Sequence, residues 1–127
     1  MKKTILVVDD NPDITLSIKS LLEDGSGKYT VVVAQSGEEC LELLTKNLLP
    51  DAILLDIMLP GIDGLETCER IRQNGIFARI PILFLSARTD YFTVGQGRFI
   101  GDDFIEKPFE IDDVIRRIEL AIEKLNS

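Results

Sequence analysis

Five short apolar runs, at residues 5–8, 30–34, 52–55, 82–85 and 103–106, constrain this chain more than any other feature. Most lack the in–out alternation of a half-exposed strand, and uninterrupted apolar runs of this length are what strands buried on both faces look like. Such strands need helices on each side of the sheet. The intervening segments supply them: Ile14, Ile18, Leu21 and Leu22 fall at helical spacing in the first, and Cys40, Leu41, Leu43 and Leu44 in the second. The second helix opens with the capping box Ser36-Gly37-Glu38-Glu39. A third helix is expected over 65–73, after the turn Pro60-Gly61-Ile62-Asp63-Gly64. Ile111, Val114, Ile115, Ile118, Ile122 and Leu125 mark a strong closing helix. Between the fourth and fifth runs, residues 89–101 carry Gly95, Gly97 and Gly101, each lowering helix propensity by roughly 1 kcal/mol relative to Ala. A helix there should be short or irregular.

Strand–helix alternation with short loops predicts an α/β fold: a doubly wound, five-stranded parallel sheet in the order 2-1-3-4-5, with five helices. No repeat, low-complexity tract or Pro/Ser linker divides the sequence, so residues 1–127 are expected to form one domain.

Charge narrows the partners. Fourteen basic against 22 acidic residues give a net charge of −8, which opposes direct binding to nucleic acid or an anionic membrane. Cys40 and Cys68 lie in separate helical segments without metal-ligand spacing, and the chain has no histidine with which to complete a zinc site. The N-terminal aliphatic run, residues 5–8, is far too short for a signal peptide or a membrane span. A soluble protein of the reducing cytoplasm is the expectation.

In a sheet of this kind, ligands collect at the carboxyl ends of the strands, where the strand order reverses. The first strand ends in Asp9-Asp10-Asn11, the third in Asp56, the fourth in Ser86 and the fifth in Lys107-Pro108. Close carboxylates repel by roughly a few kcal/mol per pair at an effective dielectric near 20, a cost that a divalent cation offsets. Oxygen donors without histidine or thiolate suit Mg²⁺, which takes one or two carboxylates, several waters and a phosphate oxygen. Asp56 is then the natural nucleophile, forming an acyl phosphate whose oxygens Lys107 and Ser86 can contact. One of Asp10 and Asn11 is expected to serve only as a cap before Pro12. The stretch Gly95-Gln96-Gly97-Arg98-Phe99-Ile100-Gly101 follows no strand and is discarded as a nucleotide loop.

At these residues the chain resembles, over nearly its whole length, the receiver domain of two-component response regulators, with the flavodoxin-like fold of that CheY-like superfamily. The resemblance rests on Val7-Val8-Asp9-Asp10-Asn11-Pro12, Leu55-Asp56-Ile57-Met58-Leu59-Pro60-Gly61-Ile62-Asp63-Gly64, Leu85-Ser86-Ala87 and Lys107-Pro108-Phe109. It implies that Asp56 receives phosphate from a phosphohistidine on a sensor histidine kinase or phosphotransfer protein. It further implies Mg²⁺ on Asp10, Asp56 and the Met58 backbone carbonyl, with Asp9 acting through water. Lys107 would pair with the phosphate, Ser86 would move toward it, and Phe104 would turn inward behind Ser86 as the second switch residue. A cis peptide is expected at Lys107-Pro108.

The resemblance also implies a downstream effector or fused output domain, and allows a phosphorylation-dependent homodimer through the last two helices and the strand between them. It implies no enzyme beyond catalysis of the domain's own phosphorylation and dephosphorylation. Two features depart from the family pattern: residues 86–107 are shorter than usual, and Ile100-Gly101 stands where Gly-Ala is common. Met58 and Arg88 occupy positions that govern water access to the acyl phosphate, and a long-lived signal is expected from so bulky a pair.

Other functions on this architecture fit less well. An aspartyl phosphatase wants an acid–base Asp two residues beyond the nucleophile, where Met58 stands. A flavin carrier needs a hydroxyl-rich phosphate loop after the first strand, and Asp9-Asp10-Asn11 would repel phosphate. An unphosphorylated interaction module is the remaining alternative, although it would have no need of the full set of acids and the lysine.

Overall fold

The strand Ala52–Asp56 is buried at every position, and this dictates the rest of the architecture, since each face of its sheet must be covered. A computed structural model describes residues 2–25, 27–87 and 102–125. Its strands are β1 (Lys3–Val8), β2 (Tyr29–Ala34), β3 (Ala52–Asp56), β4 (Ile82–Ala87) and β5 (Asp103–Lys107). All pair in parallel, in the predicted order β2-β1-β3-β4-β5.

Four helices lie among the described residues: α1 (Pro12–Leu22), α2 (Gly37–Thr45), α3 (Gly64–Gln73) and α4 (Ile111–Leu125). None is long and apolar enough to cross a membrane. The fourth of the five expected helices, at 89–101, lies outside the described residues, as do Arg88 and Ile100-Gly101.

Strand parity sorts the core into two layers. Val7, Leu54, Leu85 and Ile105 pack with Ile18 and Leu22 of α1 and with Val114, Ile118 and Ile122 of α4. Val8, Leu55 and Phe84 face the other way, onto Cys40 and Leu44 of α2 and Cys68 and Ile71 of α3. Each fully buried aliphatic side chain contributes roughly 2 kcal/mol of transfer free energy, so the two layers together bind the sheet to both helix pairs.

The helices begin where their caps dictate. Asn11 accepts the Asp13 N–H at 2.9 Å, with Pro12 at the first turn of α1, so Asn11 and not Asp10 is the cap. Ser36 accepts the Glu39 N–H at 3.0 Å, and Glu39 in turn accepts the Gln35 N–H at 2.6 Å, a capping box shifted back by one residue. Asp63 caps α3 through the Glu66 N–H at 2.8 Å. The apolar stripes are narrower than expected: Leu21 is exposed, and Leu41, Leu43 and Ile115 are only half-buried. One helix on a sheet touches it along a single line, so residues flanking that line stay partly wet.

Candidate functional site

Register brings the polar strand ends together. β1 and β3 pair with Val8 opposite Leu55, so the next residues along, Asp9 and Asp56, stand side by side at the carboxyl edge of the sheet. β4 and β5 pair Ala87 with Lys107, two strands from β3, and the long lysine side chain reaches back over the edge. Its Nζ donates to Asp9 Oδ2 at 2.9 Å and to Asp56 Oδ2 at 3.4 Å. The Lys107–Pro108 peptide is cis, as expected.

Each carboxylate is further held by backbone. Asp9 Oδ1 accepts the Asn11 N–H at 2.9 Å, and Asp56 Oδ1 accepts the Met58 N–H at 3.2 Å. Asp9 and Asp56 are almost wholly buried, while Asp10 is exposed. One carboxylate oxygen from each of Asp9, Asp10 and Asp56 lies within 4.8 Å of the other two. Such a set of hard oxygen donors, closed toward the protein and open at Asp10, fits a hard divalent cation.

The electrostatics follow from this crowding. Burial, and then the Asp9 charge, push the Asp56 carboxyl up from 3.8 to about 6, against the opposing pull of Lys107 and the Met58 N–H. Burial works against the Lys107 charge too, but its hydrogen bond to Asp9 and the field of Asp56 prevail and hold its pKa above the ordinary lysine value. Two carboxylates and one ammonium therefore leave residual negative charge in the site, a setting that suits a cation. The cysteines take no part: burial pushes Cys40 up to about 12 and Cys68 to about 11, leaving both as inert thiols in the core.

The remaining expected residues stand nearby on the other side of the sheet. Ser86 is fully buried, shares its face with Phe84, and donates from Oγ to the Ala87 carbonyl at 3.1 Å. Phe104 pairs in register with Phe84 and packs, half-buried, against the α2–α3 layer. Ser86 and Phe104 thus share one face, while parity assigns Asp9, Asp56 and Lys107 to the other. The Met58 side chain is 58% exposed beside the site.

Two supports of the site went unnoticed in the sequence. A Cβ on Gly64 would lie 2.2 Å from the Asp56 carbonyl oxygen, so only glycine lets the start of α3 close against the end of β3; the Gly64 N–H donates to the Ile57 carbonyl at 2.7 Å. On α2, the Glu38 carboxylate accepts the Ile62 N–H at 3.2 Å and lies against Gly61, whose φ is +77°. The glycines of the Gly61-Ile62-Asp63-Gly64 turn were the available signal for both.

Comparison with known proteins agrees with this geometry. The sequence model of the response regulator receiver domain matches residues 5–119. Over 125 residues, 98% of this chain, the sequence is 37% identical to the response regulator MprA of Mycobacterium sp. (strain KMS), covering 52% of that protein. It is 38% identical over 125 residues to the alkaline phosphatase synthesis transcriptional regulatory protein PhoP of Bacillus subtilis (strain 168), covering 98% of this chain and 50% of that one. The chain therefore spans about half the length of the curated relatives it matches. The crystal structure of a putative response regulator from Chloroflexus aurantiacus superposes with a TM-score of 0.84 at 38% identity, covering 97% of this chain and 99% of the other. With the strand order, the acid cluster at the carboxyl edge and these matches in agreement, the chain belongs to the response regulator receiver domain family.

Proposed function

We propose that Asp56 accepts a phosphoryl group from a phosphohistidine on a sensor histidine kinase or phosphotransfer protein, in a Mg²⁺-dependent reaction, and that loading alters partner binding through Ser86 and Phe104. The observation that carries this is the buried Asp56 carboxylate, held 3.4 Å from the Lys107 ammonium within the three-acid cluster.

Both Asp56 oxygens are fixed, Oδ1 by the Met58 N–H and Oδ2 by Lys107, so the carboxylate is oriented before the donor arrives. One of these oxygens attacks phosphorus as the P–N bond of the donor breaks, and the electron pair leaves on the imidazole nitrogen, which is protonated from solvent. Asp10, Asp56 and the Met58 carbonyl, with Asp9 in support, would hold Mg²⁺, which would supply neutralisation of charge on the transferring group. Lys107 then follows the charge from the Asp56 carboxylate to a phosphoryl oxygen. The phosphoryl oxygens offer Ser86 Oγ a stronger acceptor than the Ala87 carbonyl, and its departure frees space for Phe104 on the face they share.

Downstream, an effector or fused output domain reads this change. The relatives' names point to transcription as the output, and a phosphorylation-dependent homodimer would serve it equally.

Incubation with acetyl phosphate and Mg²⁺, followed by intact-mass measurement, tests the loading step. Wild type should gain the mass of one phosphoryl group; Asp56→Ala and a magnesium-free control should not. A gain that persists in Asp56→Ala refutes the assignment, and no gain in any sample would favour the unphosphorylated interaction module.

A further inference from the structure

The loop that follows Asp56 is tied down from a neighbouring helix as well as at its own base. There the Gly64 N–H donates to the Ile57 carbonyl at 2.7 Å, and the Leu59 N–H donates to the same carbonyl at 3.2 Å. The Met58 N–H donates to Asp56 Oδ1 at 3.2 Å. Leu59 is buried in the layer of α2 and α3, whereas Met58, Pro60 and Gly61 are exposed. An exposed turn with few apolar contacts opens more easily than the core beneath it unless something holds it.

The first turn of α2 provides that hold. Gly37 is buried there, and a Cβ on it would collide with Thr67 Oγ1 and lie 2.8 Å from Ile62 Cγ1, so α2 approaches both α3 and the loop closely. The next residue, Glu38, directs its carboxylate at the loop. Its Oε2 accepts the Ile62 N–H at 3.2 Å, and a Cβ added to Gly61 would lie 2.5 Å from the same oxygen. Hydrogen bonds from the Glu38 N–H, and then from the Ile62 N–H, hold the Glu38 carboxyl below its usual pKa, so the acceptor is ionised at neutral pH.

We propose, resting on the ligand set of the functional reading above, that Glu38 is a positioning residue for the cation site: by holding the loop at Ile62 it fixes the Met58 carbonyl and so sets the affinity for Mg²⁺. Glu38 lies outside the cluster of Asp9, Asp10 and Asp56 and acts through the backbone of the loop. The Asp10 side chain is exposed and can turn to meet a cation, whereas a backbone carbonyl moves only with its loop. Mg²⁺ tolerates little departure from octahedral coordination at about 2.0–2.1 Å, so a displaced carbonyl costs affinity.

Met58 and Ile62 share one short loop whose base is closed between Ile57 and Gly64, so freeing Ile62 gives Met58 room to move. Asp56 keeps its Oδ2 on Lys107 from the other side of the site. Loss of Glu38 therefore acts on phosphoryl loading through the cation, and excess Mg²⁺ makes the loss good.

The test combines calorimetric titration of the full chain with MgCl₂ and phosphoryl loading from acetyl phosphate, read by intact mass over a range of Mg²⁺ concentrations. Glu38→Ala should weaken Mg²⁺ binding by about tenfold, and should slow loading to a similar extent at limiting Mg²⁺ but not at saturating Mg²⁺. Glu38→Gln keeps an oxygen acceptor for the Ile62 N–H and should recover most of the affinity. Ser36→Ala removes the α2 cap but not the loop's acceptor, and should leave Mg²⁺ affinity unchanged. Wild-type affinity in Glu38→Ala, an equal loss in Ser36→Ala, no recovery in Glu38→Gln, or a loading defect that excess Mg²⁺ does not relieve would each overturn the proposal while leaving Asp56 as the phosphoacceptor. A wild type that neither binds Mg²⁺ nor gains the phosphoryl mass would overturn the functional reading, and the role of Glu38 with it.

Discussion

At Asp56, burial and the neighbouring Asp9 charge raise the pKa from 3.8 to about 6, and this has a sign that can be measured. A carboxyl whose folded pKa lies above its unfolded one binds its proton more tightly when folded. Its contribution to stability is complete below 3.8 and is lost as pH rises through about 6. In metal-free protein, Asp56→Asn should therefore be more stable than wild type at neutral pH, by about 1–3 kcal/mol, with the difference vanishing in acid. Urea denaturation at several pH values tests this, and parallel curves for the two proteins would refute it. Lys107→Met has the opposite sign: two buried carboxylates lose their shared ammonium, costing about 2–4 kcal/mol at neutral pH. That cost should shrink as Asp56 takes up a proton. Asp9, Asp56, Ser86 and Lys107 were legible in the sequence because each sits where an apolar run stops, a change of residue type that marks the strand end. The Met58 N–H on Asp56 was not, because a backbone donor leaves no mark on residue identity.

Among the elements, the joint between β3 and α3 is the most exacting. Gly64→Ala would drive a methyl into the Asp56 carbonyl, so either α3 or the end of β3 must shift. The expected loss is about 2–3 kcal/mol by thermal or urea unfolding, with a matching drop in phosphoryl loading from acetyl phosphate as Asp56 moves. Wild-type stability in that variant would show that the joint has slack. At α2, Ser36→Ala should cost about 1 kcal/mol, since the Glu39 N–H loses its acceptor. Strand order and helix positions could be read from the sequence because uniform apolar runs and helical spacing reflect burial directly. What burial spacing overstated was the width of the stripes: Leu21 reads as core yet faces water, since on α1 Ile18 and Leu22 occupy the line that meets the sheet and Leu21 flanks it. The tight packing at Gly64 was illegible for a further reason. Its cause is the absence of a side chain next to a backbone carbonyl from another element, which only the assembled fold brings close.

Taken as a whole, the molecule separates its chemistry by edge. The carboxyl edge gathers the carboxylates of Asp9, Asp10 and Asp56, and the amino edge carries paired charges, Asp102 with Arg72 and Asp103 with Arg117. Strand polarity alone produces this division, since a parallel sheet has all its starts on one side and all its ends on the other. If the acid cluster holds Mg²⁺, a hundredfold excess over Kd should stabilise the folded state by about 3 kcal/mol, seen as a rise in Tm. Asp10→Ala, an exposed position that leaves the core intact, should lose most of that rise. The most direct measurement is site-resolved: load the protein with acetyl phosphate and Mg²⁺, reduce it with borohydride, which converts an aspartyl phosphate to homoserine, and sequence the peptides by tandem mass spectrometry. Homoserine should appear at position 56 and at no other aspartate. Homoserine at Asp9 or Asp10 instead, or at no position in protein shown by intact mass to be phosphorylated, would contradict the assignment of Asp56 as the phosphoacceptor.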